Sequence, residues 1–232
     1  MEMRAYLLAA GEGTRLRPLT ETMPKCLVPI KGMPLLSIWL DLLKLHGVTD
    51  VLINLHYLPH LVEQYIDGNA TGINVRTFHE KTLLGTAATV MTNRDFVRGK
   101  GCFLIAYADN LTNVNLRRMV NFHEERGGIL TMGLFRAKAP RECGIAEIDG
   151  DNVITSFTEK PAHPVSNLAN AGIYIAGEEL FDYIPMKKFI DFGFDVLPRL
   201  IGKMYGYVIE EYLIDIGNPD NYKRANEQWE RL

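Results

Sequence analysis

Several features that would assign this sequence quickly are missing. No apolar run reaches the roughly 18 residues that span a bilayer. Met1-Glu2-Met3-Arg4 precedes only six apolar residues before Gly11, too few for a signal-peptide core and better suited to a buried strand. The three cysteines, Cys26, Cys102 and Cys143, lie far apart without a CxxC pair. That suggests neither a zinc site nor a disulfide framework and suits reduced thiols in a cytoplasmic protein. Positive charge is not in excess: the net charge is -3, so a nucleic-acid partner is not expected. There is no internal repeat, low-complexity tract or long linker. Two common phosphate motifs also fail. A dinucleotide fingerprint needs a third glycine where Leu16 stands, and the Gly-Lys-Ser/Thr ending of a Walker loop is absent.

What is present is ordinary globular composition. The chain has 232 residues, 47% of them apolar and 23% charged, with 20 Gly and 11 Pro. That is enough for one good core and a small appended lobe. The first half alternates strand and helix patterns. Ala5 to Ala10 is a continuous apolar run, as in a strand buried on both faces. Leu35, Ile38, Trp39, Leu42 and Leu45 recur at helical spacing, and Gly47 can end that helix. Strands are expected over 50–55, 73–79 and 102–108, and helices over 57–67, 86–93 and 115–126. This order predicts an α/β fold with a Rossmann-like, mostly parallel sheet and helices on both faces. Ligands then bind beyond the carboxyl ends of the strands.

The second half reads as a small mixed β lobe. Short strands are expected over 129–135, 145–148, 153–158 and 168–176, and helices over 192–203 and 219–231. We therefore expect a single domain over 1–232, with two halves, 1–128 and 129–232.

The first strand runs directly into Leu8-Ala9-Ala10-Gly11-Glu12-Gly13-Thr14-Arg15-Leu16-Arg17-Pro18. Gly11 and Gly13 permit backbone angles that a side chain would forbid and let amides approach a ligand. Consecutive amides of this kind form an anion-binding nest. Arg15 can pair with phosphate oxygens, and Lys25 adds a compact charge after Pro24. Arg15, Arg17, Lys25 and Lys31 place four cations within 17 residues, offset only by Glu12 and Glu21. A plain Gly-rich turn with solvated cations has the same composition.

Two acids stand out elsewhere. Asp109 sits at the carboxyl end of an apolar strand, where a carboxylate can hold Mg²⁺ or cap the next turn. Asp215 lies in the apolar run Leu213-Ile214-Asp215-Ile216. A carboxylate there needs a cation, which a Lys or Arg could equally supply.

The loop, followed by Leu19-Thr20, Pro24-Lys25 and Leu27-Val28-Pro29, resembles the signature of the sugar-1-phosphate nucleotidyltransferases. The likeness runs to the end of the chain. It implies the nucleotide-diphospho-sugar transferase type of fold and a transfer from a nucleoside triphosphate to a sugar 1-phosphate, releasing pyrophosphate. It implies catalytic roles for Arg15, Lys25, Asp109 and Asp215, with Mg²⁺ on Asp109 and Asp215. Nucleotide contacts would come from Leu8, Ala9, Ala10, Gly11, Gly13, Thr14, Arg15, Lys25, Glu80, Gly85 and Thr86. Asp109, Gly144, Glu159, Lys160 and Asn170 would take the sugar phosphate. Ala108 and Cys143 replace a common Gly and a common Tyr of the family, and Asn218 replaces a common Thr.

Leu83-Leu84-Gly85-Thr86-Ala87 resembles the guanylyltransferase branch, so GTP with mannose or heptose 1-phosphate is expected. Thymidylyl or uridylyl transfer to glucose or N-acetylmuramate 1-phosphate is the alternative. A regulatory homologue that only binds nucleotide sugars is the alternative of another class; retention of Arg15, Lys25, Asp109 and Asp215 argues against it. Some larger relatives carry a carboxy-terminal β-helix domain. This chain stops after the helix pattern of 219–231, so any homo-oligomer is expected to use the catalytic domain itself. Thr86 can also cap the helix that follows it. His56 and His60 are four apart, but Pro59 intervenes and no third metal ligand is visible. Trp39 reads as core. Cys26 follows a cation that could lower its pKa, although no chemistry here requires a thiolate.

Overall fold

The computed structural model describes residues 3–230. In chain order the strands are β1 (Met3–Leu8), β2 (Pro29–Ile30), β3 (Met33–Pro34), β4 (Val48–Leu55), β5 (Asn74–His79), β6 (Phe103–Tyr107), β7 (Asn110–Thr112), β8 (Leu130–Arg136), β9 (Gly144–Ile148), β10 (Ile154–Glu159), β11 (Leu168–Ala176), β12 (Met204–Val208) and β13 (Leu213–Asp215). The α-helices are α1 (Leu35–Leu45), α2 (Pro59–Asp67), α3 (Thr86–Thr92), α4 (Leu116–Arg126) and α5 (Pro219–Gln228). The fold is α/β. No helix among the described residues is long and apolar enough to cross a membrane.

The chain forms two compact units whose segments alternate along the sequence. One comprises 1–83, 106–114 and 211–232; the other comprises 84–105 and 115–210. The expected halves, 1–128 and 129–232, do not coincide with them. Contacts between strands distant in sequence, not the order of residues, decide what packs as a unit.

In the first unit β1, β4 and β5 are parallel, with Leu7 opposite Ile53 and Ile53 opposite Thr77. Ala5, Tyr6 and Leu7 are fully buried, as the unbroken apolar run requires. Helix α1 buries Leu35, Leu36, Ile38, Trp39, Leu42 and Leu43. Leu45, expected on that face, is 64% exposed, because the helix ends there and Gly47 turns the chain at φ +83°. Trp39 is 1% exposed and donates its indole N–H to the Asn110 carbonyl at 2.7 Å.

The second unit is the mixed lobe. Strands β10, β9, β11 and β8 pair antiparallel in that order, and β12 lies parallel to β8. Strand β12 is not among the strands expected from the sequence. The helix expected over 192–203 is a π turn, Phe192–Val196, followed by a 3₁₀ turn, Leu197–Leu200. Pro198 supplies no amide for a longer helix, and β12 begins at Met204. The last helix ends at Gln228; Arg231, the end expected for it, lies outside the described residues.

His123, on α4, is 6% exposed, with Nδ1 3.0 Å from the Thr131 hydroxyl. Burial lowers its pKa, against a weaker opposing pull from Glu179. The folded imidazole therefore resists a proton that the unfolded one accepts below about pH 6.5. Stability is full above that value and falls as the pH drops below it. Thermal melts between pH 8 and pH 5 should show this loss, and His123→Phe should flatten it. An unchanged acid slope in the variant would remove His123 as the cause.

Candidate active site

The loop after β1 is tied down at both ends. The Ala9 amide donates to Asn54 Oδ1 at 2.7 Å, and Asn54 Nδ2 donates to Glu80 Oε1 at 2.8 Å. Asn54 is 4% exposed and Glu80 3%. Glu80 thus braces the loop from behind through Asn54. At the far end, the fully buried Thr20 donates its hydroxyl to the Gly13 carbonyl at 2.7 Å. Gly13 is left-handed at φ 64°, and a Cβ there would come within 3.0 Å of Thr20 Cγ2. Gly11 is different. Its φ is not in the left-handed region, and a methyl group at that position would meet only open space. Neither backbone angle nor packing therefore requires glycine at this position. Leu16 is buried and anchors the loop, while Thr14 and Arg15 are exposed.

Lys25 follows Pro24 in a short 3₁₀ turn and is 8% exposed. Its Nζ donates to Asp109 Oδ2 at 2.7 Å and to Asp215 Oδ1 at 3.4 Å. The two acids meet because β7 and β13 pair antiparallel, with Asp215 opposite Asn110. The Ile216 amide donates to the Asp109 carbonyl at 3.1 Å. Gly217 donates its amide to Asp215 Oδ1 at 2.7 Å. A Cβ on Gly217 would lie 2.8 Å from Arg15 Nη2, so the bare residue admits the guanidinium beside Asp215. Asn218, standing where the resembling family commonly has Thr, caps α5 by accepting from the Asn221 amide at 2.9 Å. Either residue type can make that bond.

The electrostatics follow from this geometry. Burial alone would lower the Lys25 pKa, but Asp109 and Asp215 outweigh it and hold the ammonium above its ordinary range. Burial and the neighbouring Asp109 charge push the Asp215 carboxyl up, against Lys25, the Gly217 amide and Arg15. Asp109 and Asp215 offer two carboxylates, the ligand type taken by a hard divalent cation such as Mg²⁺, whose other ligands can be water and phosphate oxygens; Lys25 and Arg15 lie beside them. Cys26 is not activated by its position beside Lys25: complete burial pushes its thiol up to about 12.

In the second unit, Gly85 precedes α3 at φ +89°, and a Cβ there would meet the Ile190 carbonyl oxygen. Thr86 has the side chain of a helix cap, but Gly85 holds the capping position. The Thr86 hydroxyl donates instead to Asp191 Oδ2 at 3.0 Å and accepts from the Phe192 amide at 2.9 Å. Glu159 ends β10 directly opposite Gly144 on β9. Burial raises its pKa; Lys160 opposes the rise and Asp191 adds to it. Lys160 is exposed at φ 48°, with its amide on the Cys143 carbonyl at 3.1 Å. Asn170 sits beside an irregularity of β11, donating to the Tyr174 hydroxyl at 2.7 Å and accepting from the Gly172 amide at 2.9 Å.

Residues 4–231 match the family model described as nucleotidyl transferase. The chain belongs to the nucleotidyl transferase family. It is 32% identical to a Synechocystis UTP–glucose-1-phosphate uridylyltransferase over 96% of this chain and 62% of that protein. It is 30% identical to a Mycobacterium tuberculosis mannose-1-phosphate guanylyltransferase over 97% of this chain and 64% of that one. The chain thus spans less than two thirds of the length of these two relatives. Among solved structures it is similar to HddC from Yersinia pseudotuberculosis, with TM-score 0.83 and 25% identity, covering 98% of this chain and 100% of that chain. HddC has also been solved complexed with GMP-PN.

Of the residues expected in the site, the fold brings Lys25, Asp109 and Asp215 into direct contact in the first unit, with Arg15 near Asp215. It also places Gly144 against Glu159 in the second. Sequence reasoning gives no site role to Asn54, Thr20, Gly217 or Asp191. Asn54 carries a signal, a lone amide inside the apolar run Val51–Leu55. Thr20 falls within the loop signature and Gly217 beside Asp215, but what each does depends on its partner. His56 rests its Nδ1 2.7 Å from the Glu80 carbonyl, and no cluster of three or more His, Cys, Asp or Glu suited to a metal occurs among the described residues.

Proposed function

We propose that the chain transfers a nucleotidyl group from a nucleoside triphosphate to a sugar 1-phosphate, releasing pyrophosphate. The observation that carries the proposal is the convergence of Asp109 and Asp215 on Lys25, beside the loop bearing Gly11, Gly13 and Arg15. The acceptor is already an anion, so no Ser, Cys or His nucleophile is needed. What the reaction needs is alignment and neutralised charge between two polyanions. Arg15, Lys25 and the amides of Ala9, Ala10, Gly11 and Gly13, with Leu8 and Thr14 flanking them, would grip the triphosphate. Asp109 and Asp215 would hold Mg²⁺. When bound, that ion supplies positive charge to the phosphate oxygens. In the second unit Gly85 and Thr86 would serve the base, and Gly144, Glu159, Lys160 and Asn170 the sugar phosphate. Glu80 would support the loop through Asn54.

GTP with mannose or heptose 1-phosphate is the favoured pair, on the likeness of Leu83 to Ala87 and of the mannose-1-phosphate guanylyltransferase. The uridylyltransferase relative supports uridylyl transfer to glucose 1-phosphate as a second reading. A cytoplasmic location accords with either. The test is pyrophosphate release over a grid of four nucleoside triphosphates and several sugar 1-phosphates with Mg²⁺. Release in at least one combination is expected, strongest with GTP. Silence across the whole grid, with sugar nucleotides still binding, would transfer support to a regulatory binding protein.

A further inference from the structure

The segment Ile190–Phe194 touches two of the expected contact groups of the second unit. Its first residue meets the loop before α3: the Ile190 amide donates to the Leu84 carbonyl at 3.0 Å, and the Ile190 carbonyl accepts from the Ala87 and Ala88 amides at 2.9 and 3.2 Å. Its last residues meet Glu159. A Cβ on Gly193 would crowd Glu159 Oε2 and stand 2.8 Å from Glu159 Cδ. Gly144 approaches the same oxygen from the β9 side, where a Cβ would lie 2.5 Å away. The Glu159 carboxylate is therefore seated between two bare backbone positions. Gly193 is buried, and its φ lies outside the left-handed region. Backbone conformation does not require glycine there; the space taken by Glu159 does.

Asp191 sets that wall in place. Its Oδ1 accepts from the Gly193 amide at 2.8 Å and from the Phe194 amide at 3.4 Å. Its Oδ2 accepts the Thr86 hydroxyl at 3.0 Å. Its own amide donates to Asp195 Oδ2 at 3.0 Å, and Asp195 is paired with Lys187 at 2.8 Å. Phe192 is fully buried with its ring centroid 5.5 Å from that of Tyr174, whose hydroxyl receives the Asn170 amide. The turn is thus held by its own bonds and by Thr86, Lys187 and Tyr174, independently of Glu159.

We propose that Gly193, positioned by Asp191, sets the affinity for the acceptor: its missing side chain fixes where the Glu159 carboxylate presents itself to hydroxyl groups of a sugar 1-phosphate. This rests on the reading under Proposed function that Glu159 faces the acceptor. A methyl group at 193 moves the far end of a flexible side chain rather than backbone, so the fold is retained while the carboxylate is displaced. Gly193 is a positioning residue and touches no reacting atom.

The experiment measures the Kd of the best-bound sugar 1-phosphate by calorimetry and its KM in pyrophosphate release, for wild type, Gly193→Ala, Glu159→Ala, and both together. In Gly193→Ala the acceptor Kd and KM should rise about tenfold or more, the scale of one lost hydrogen bond to a charged group. The KM of the nucleoside triphosphate should change by less than about twofold. Added to Glu159→Ala, Gly193→Ala should have no further effect, because the group it displaces is gone. Glu159→Asp, one methylene shorter, should relieve the contact; should Gly193→Ala alone fail to fold, the Glu159→Asp/Gly193→Ala pair should fold and melt near Glu159→Asp. An unchanged acceptor Kd in a folded Gly193→Ala, full additivity with Glu159→Ala, or no recovery of folding by Glu159→Asp overturns the inference. Acceptor binding with the expected pattern but no turnover overturns the proposed transfer and leaves this inference standing. A wild type that binds no sugar 1-phosphate overturns both.

Discussion

Asp109→Asn should lower turnover by roughly 10²–10³-fold, by analogy with the loss of one preorganised oxyanion-hole donor from an acyl-transfer site. The reason is local. Asp109 and Asp215 form an oxygen pair through β7 and β13, and Lys25 lies 2.7 Å from the first and 3.4 Å from the second. The amide keeps the shape of the side chain but not its charge. It leaves Asp215 with Lys25 and Arg15 and removes one of the two carboxylates that a divalent cation would take. Lys25→Ala should cause a loss of similar size for the opposite reason, since two carboxylates would then face each other without a fixed ammonium. Pyrophosphate release at saturating Mg²⁺, with circular dichroism melts to confirm folding, is the check. Turnover near the wild-type rate in folded Asp109→Asn would remove this pair from the mechanism.

The second large effect is on stability. Trp39→Ala should destabilise the chain by about 3–5 kcal/mol, the usual cost of deleting a buried aromatic side chain. Trp39 is 1% exposed, and its indole N–H is bonded to the Asn110 carbonyl at 2.7 Å. The variant therefore creates a cavity and strips a donor from the residue next to Asp109. For a chain of this size the loss corresponds to a fall in Tm of roughly 2–4 °C per kcal/mol. Trp39→Phe should recover much of the packing and none of the hydrogen bond, so its melt should lie between the two. If Trp39→Ala melts with the wild type, α1 does not brace β7.

These two residues mark the limit of what is legible in the sequence. Trp39 reads as core because it falls on the apolar face of α1 with Leu35, Ile38 and Leu42. Its bond to Asn110 is not legible, since the partner lies 71 positions away. Asp109 reads as an acid at a strand end, but on spacing alone it could equally cap a turn. Its ion pair with Lys25, 84 residues distant, is not legible at all. The irregular turn at Phe192–Val196 imitates a helix because its apolar spacing is helical, while Asp191 and Pro198 interrupt it. Strand β12 escapes a reading of periodicity because Tyr205, Gly206 and Tyr207 show no apolar alternation; its register against β8 comes from tertiary pairing.

By itself the sequence determined the α/β class, the buried first strand, the Gly-rich cationic loop and, through a long motif, the family. Those properties are local: apolar periodicity, the conformational freedom of Gly13, and residues adjacent in the chain. Only the tertiary structure decided that Lys25, Asp109 and Asp215 share one site, that Asn54 ties the loop to Glu80, and that Gly193 backs Glu159. Each of these is a contact across tens of residues, made by strand register and by the absence of a Cβ, and neither is written in the order of the amino acids.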